Sequence, residues 1–115
     1  MIIDLDRMRI FVKPGFTDMR KQINGLSILV KEKWGINPLD GNLFLFGGKD
    51  RRKMKILYWD KNGFCLWQKR LEKDKFPWPK NEGEVRALTR NQLEWLLAGI
   101  DFWNAHEELF YENVG

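Results

Sequence analysis

Residues 53–70, KMKILYWDKNGFCLWQKR, constrain the fold more than any other stretch. Two runs rich in β-branched and aromatic residues flank Asn62-Gly63, a dipeptide that tolerates the positive φ angles of a two-residue hairpin turn. With Asn62 and Gly63 in the turn, Lys61 faces Phe64, Trp59 faces Leu66, Tyr58 faces Trp67 and Lys55 faces Arg70. One face of the hairpin then carries Leu57, Trp59, Phe64 and Leu66 with Lys55 and Arg70. The other carries Met54, Ile56, Tyr58, Cys65, Trp67 and Leu71 with Asp60 and Lys69, and is the better core. Rings gather near the turn and cations at the open end. Like charges facing each other are unfavourable in a bare sheet, and a polyanion partner would offset that repulsion.

The rest of the chain places helices around this hairpin. Arg9–Val12 reads as a short strand ended by Pro14-Gly15. Thr17 or Asp18 can cap the helix that follows, because a side-chain oxygen there accepts from its first amides. Met19, Ile23, Leu26, Leu29, Val30 and Trp34 form one apolar stripe at helical spacing, and Gly35 is its natural stop. Gly25 within that helix costs about 1 kcal/mol relative to Ala, which hints at a close backbone contact. Leu43, Phe44, Leu45 and Phe46 are apolar on both faces, so their strand should be covered on both sides. Two prolines keep FPWP (76–79) extended. Thr89 and Gln92 match a capping box that opens a second helix with Leu93, Leu96, Leu97 and Ile100 on its stripe. The expected fold is α+β: an antiparallel three-stranded meander near 42–47, 53–60 and 64–71, a short N-terminal strand, and helices near 18–34 and 90–103. At 115 residues this is one domain, with 104–115 an acidic tail that either continues the helix or orders on a partner.

Composition narrows the function classes. The lone Cys65 allows no internal disulfide or cysteine-based metal cluster and fits a reducing compartment. No apolar run reaches the roughly 20 residues of a membrane span, and the start lacks the order of a signal peptide, so the expected location is cytoplasmic with no membrane partner. The single His106 has no nucleophile or metal-ligand spacing around it. Asp4, Asp6, Asp18, Asp40 and Asp60 read more simply as caps, turns or solvated charges than as a two-metal site. Gly47-Gly48-Lys49 lacks the spacing of a phosphate-cradling loop. The expectation is a non-enzyme with no cofactor and no metal. A hydrolase would need several inward carboxylates around a compact pocket.

Charge points to binding instead. The net charge is +4, yet residues 100–115 hold Asp101, Glu107, Glu108 and Glu112 with no Lys or Arg, so the excess of positive charge lies upstream. Lys49, Arg51, Arg52, Lys53, Lys55, Lys69, Arg70, Lys73 and Lys75 are the candidate phosphate contacts, and Trp59, Phe64 and Trp78 the candidate stacking or interaction groups. Six Trp and eight Phe are many for this length, and most large rings sit in cores. The plainer alternative is that the second helix covers the Trp59/Phe64 face and the lysines are solubilising charge. On the binding reading, Arg51→Glu/Arg52→Glu/Lys55→Glu should abolish DNA binding and leave the fold intact.

The segments TDMRKQINGL (17–26), LFLFGGKDRRKMKILYWDKNGFCLWQKRLEKDKFPWP (43–79) and LTRNQLEWLLAGID (88–101) resemble the small TnpB accessory proteins of the insertion sequence 66 family. That TnpB is unrelated to the RNA-guided nuclease of the same name, whose carboxylate framework is absent here. The resemblance implies a bacterial accessory protein encoded beside a larger transposase and assisting transposition. It brings no catalytic residues. DNA of low sequence specificity, the cognate transposase and a sibling accessory protein are the partners it implies. A protein-interaction module docking on the transposase, through Trp59/Leu66/Phe64 or through FPWP and the tail, is the alternative. This chain departs from the pattern in a short N-terminal extension and in the acidic stretch after Asp101.

Overall fold

The computed structural model describes residues 7–80, 83 and 85–103. Five strands and two helices follow in chain order: β1 (Ile10–Val12), α1 (Ile23–Trp34), β2 (Leu43–Gly47), β3 (Lys53–Asp60), β4 (Gly63–Arg70), β5 (Arg86–Leu88) and α2 (Arg90–Leu97). The strands form one sheet in the order β4-β3-β2-β1-β5. The α+β class holds, but the sheet is mixed. β1 runs parallel to β2, with Ile10 beside Leu43, and α1 makes the crossover that parallel neighbours require. β5, which the sequence reading lacks, pairs antiparallel with β1.

A helix packs on each face of this sheet, and the alternation of β2 divides the core between them. Phe44 and Phe46 join Leu57 under Leu26 and Val30 of α1. Leu43 and Leu45 join Ile10, Val12, Met54, Ile56 and Tyr58 under Leu93 and Leu96 of α2, with Phe76, Trp78 and Phe102 closing that side. All five β2 residues are buried, as two-sided cover requires. Trp34 stacks on Phe46, and Phe11 on Phe44.

Four local expectations need correction. The hairpin turns one residue early: Lys61 and Asn62 form the loop, Asp60 faces Gly63, and Trp59 faces Phe64 rather than Leu66. Lys61 takes the left-handed conformation at φ 53°. The shift moves the pairing by two residues, so each side chain keeps its face. It brings Trp59 edge-to-face with Phe64 at 5.0 Å between centroids, a geometry worth about 0.5–1.5 kcal/mol beyond buried area. The first helix begins at Ile23 rather than near 18, with Gln22 as its cap. Thr17 is buried, and Asp18 turns its carboxylate to the Arg20 amide and guanidinium. The second helix opens on the expected Thr89–Gln92 capping box but ends at Leu97, because Gly99 adopts φ 78° instead of extending to 103. Gly35 closes α1 at φ 64° as expected. At Gly25 an added Cβ would meet only the Lys21 side chain at 3.4 Å, so no backbone approach requires glycine there.

Candidate nucleic-acid interface

The open end of the hairpin gathers the basic residues through backbone bonds. Gly48 N–H donates to Lys53 O and Arg51 N–H to Gly48 O, closing the β2–β3 turn. The Leu71 amide then donates to Arg52 O and the Phe76 amide to Arg51 O, each at 2.7 Å, tying the 70–76 segment alongside that turn. Lys53 faces Arg70 across the β3–β4 ladder. Lys49, Arg51, Arg52, Lys53, Arg70, Lys73 and Lys75 therefore belong to two adjoining segments. The acids among them do not cancel the charge. Asp50 accepts from the Arg52 amide, and the Arg70–Glu72 pair is solvent-exposed, where ion pairs contribute little.

Arg51 is strained. Its φ is 60°, a left-handed conformation that costs an L-residue with a Cβ about 1–2 kcal/mol and that glycine adopts freely. Arg51 lines a cleft of about 360 Å³ with Pro77, Trp78, Pro79, Lys80, Arg86, Asp101 and Trp103. The Arg86 guanidinium sits 5.6 Å above the Trp103 ring, and Trp103 Nε1 donates to Pro77 O. Lys80, Arg86 and Trp103 stand outside the expected site, since their separation along the chain gives no sign that they meet.

Two of the expected phosphate contacts are occupied inside the protein. Lys55 is only 2% exposed, and its Nζ donates to Met19 O and Lys21 O, each at 2.8 Å. It anchors the entry to α1 and cannot reach a polyanion. Lys69 Nζ donates to Leu97 O at 2.9 Å, where a cation satisfies a terminal carbonyl and the negative end of α2. The Arg51/Arg52/Lys55 charge reversal would therefore bury a carboxylate at Lys55 and damage the fold it was meant to spare.

The rings fare differently. Trp78 is 3% exposed, its Nε1 donating to Lys13 O, and belongs to the core. Trp59 and Phe64 are half-buried on the face covered by α1, not by the second helix. They lie six strand positions from Lys53, about 20 Å along the hairpin. Rings and cations are thus at opposite ends. Phe64 instead lines an apolar groove of about 430 Å³ with Ile28, Lys31, Ile36, Pro38 and Leu39 among its walls. Ile28 and Leu39 are 52% and 50% exposed.

Burial pushes the Lys55 ammonium below the ordinary lysine value of 10.5. The unfolded chain then holds that proton more tightly, so the native state gains stability as pH rises from the depressed value toward 10.5. Lys55→Met removes this gradient and leaves two carbonyls without their donor, costing about 1–3 kcal/mol. Urea melts at neutral and alkaline pH should show the advantage of wild type over Lys55→Met widening with pH; a constant gap would refute the burial cost. The Arg20 side chain and amide hold the exposed Asp18 carboxyl well below the usual carboxylate range.

Groups of three or more His, Cys, Asp or Glu able to hold a metal are absent among the described residues. No helix among them is long and apolar enough to cross a membrane. Cys65 is half-buried beside the Tyr58 core. His106, Asp4, Asp6 and the 104–115 tail lie outside the described residues.

The family model described as IS66 Orf2 like protein matches residues 8–107. Uncharacterized protein y4hO of Sinorhizobium fredii is 41% identical over 108 residues, 94% of each chain. Uncharacterized protein y4jC of the same organism is 32% identical over 95 residues, 83% of this chain and 81% of its own. No solved structure matches. The matched span takes in both helices, the whole sheet and the basic open end of the hairpin, so the chain belongs to the IS66 Orf2-like family of insertion-sequence accessory proteins.

Proposed function

We propose that this protein is a non-catalytic accessory factor of insertion-sequence transposition that holds DNA by its backbone. The contacts come from Lys49, Arg51, Arg52, Lys53, Arg70, Lys73 and Lys75. The observation that carries the reading is the tie between the two basic segments, with Lys53 facing Arg70 and Arg51 and Arg52 bonded through their carbonyls to the 71–76 segment. Such an arrangement sets cation beside cation, which a bare sheet disfavours and a line of phosphates would relieve. Side chains of this kind read charge and not base edges, so low sequence specificity follows.

A second reading, docking on the transposase or a sibling accessory protein, draws on the groove beside α1. Ile28, Leu39 and Phe64 offer an apolar recess edged by Lys31, the kind of concave surface that receives an anchor side chain. Both activities can coexist, since groove and basic end are separate. Ile28→Asp/Leu39→Asp should end co-purification with the cognate transposase and leave duplex DNA binding within about twofold, whereas charge reversal at the basic end should do the opposite. Loss of DNA binding in the groove variant alone would reverse the assignment.

A further inference from the structure

Arg51, Lys80 and Arg86 come from three separate segments yet line one cleft with Asp101 and Trp103. We propose that this cleft seats a phosphodiester group of the bound DNA, extending the basic segments through their shared Arg51 to Lys80 and Arg86; the inference rests on the DNA-binding reading above. Three cationic residues and one acidic residue line it, and none of the three has an ion-pair partner among the described residues. The carboxylate is partly engaged, Asp101 Oδ1 accepting from the Trp103 amide at 3.2 Å. Lys80 and Arg86 are exposed and Arg51 is half-buried, so an incoming phosphate can reach all three, and cations gathered in one place favour such an anion.

The walls are already in place. Trp103 Nε1 donates to Pro77 O, and the Gly15 amide donates to Pro79 O at 2.7 Å, fixing the 77–79 segment. The Arg86 guanidinium lies over the Trp103 ring at 5.6 Å. Stacking there restrains its plane while its donor edge stays available for a forked contact with phosphate. The decisive residue is Arg51. The turn that holds it, with Arg51 N–H on Gly48 O and Arg51 O accepting from Phe76, needs a left-handed residue. Glycine would serve that turn without strain. Arginine there instead gives the cleft wall a cationic residue at a cost in fold stability, as residues held at functional sites often do.

The test uses the full chain carrying 5-fluorotryptophan, titrated with a single strand of about 20 nucleotides and with its duplex, long enough to span the basic surface. The Trp103 fluorine signal, assigned by Trp103→Phe, should move on binding, while that of Trp34, stacked on Phe46, should not. Arg51→Gly should melt no lower than wild type, and Arg51→Gly/Arg86→Gln should lose about tenfold or more in affinity with a shallower salt dependence. A shift with the single strand alone assigns the phosphodiester to unpaired DNA; a shift with both assigns it to either form. If DNA binds but the Trp103 signal stays put and the double variant binds like wild type, the cleft is refuted and the basic segments stand. If neither oligonucleotide binds wild type at low salt, the DNA reading itself falls.

Discussion

Gly47→Ala should destabilise the protein by about 3 kcal/mol or more, near the upper end of what overpacking costs. Gly47 ends the central strand, and a Cβ there would lie 2.5 and 2.6 Å from two atoms of the Trp78 indole. That ring cannot step aside: it is buried, and its Nε1 donates to Lys13 O at 3.0 Å. The strand cannot retreat either, because all of β2 is packed between the two helices. For a domain with about 5–15 kcal/mol in total, such a loss moves the urea midpoint far down. Gly48→Ala is the internal control. Its Cβ would meet the flexible Met19 side chain at 2.7 Å, which can swing away, so its cost should stay within about 1 kcal/mol. Equal midpoints for wild type and Gly47→Ala would refute the close strand–indole packing.

The second large effect concerns binding. Arg52→Glu/Lys53→Glu/Lys73→Glu should lower affinity for duplex DNA by about a hundredfold or more at low salt, because each reversal removes one phosphate contact and adds a repulsion. The fold should survive. Lys53 faces Arg70, so a glutamate at 53 replaces a like-charge pair by an attractive one. Arg52 donates through its guanidinium to Glu72 O at 3.3 Å, at the surface, and Lys73 is exposed. Melting within a few degrees of wild type, together with the loss of affinity, places the effect on binding.

The elements legible in the sequence were those written by local chemistry. The Thr89–Gln92 box, the Gly35 stop and the doubly apolar β2 each act through neighbours a few residues away, and each stands in the structure. The hairpin faces were legible for the same reason, since alternation survives a two-residue slip in register. What escaped depended on distant partners. The carbonyls that capture Lys55 lie 36 and 34 residues upstream, and a long apolar stem lets a lysine enter a core that its charge alone would forbid. Trp78 reads in sequence as a surface ring, yet its slot is made by the missing side chain of Gly47. β5 has only three residues, too few for a periodic signal, and gains its ladder from β1. The cleft of Arg51, Arg86 and Trp103 is likewise a product of the fold.

The most direct measurement is the affinity of wild type and of Arg52→Glu/Lys53→Glu/Lys73→Glu for one duplex across a range of salt. With about six phosphates contacted, wild type should give a log–log slope of about −5, and the variant, with about three left, a slope nearer −3. A flat response for wild type, or the same slope for both proteins, would contradict the assignment of DNA binding to the basic end of the hairpin.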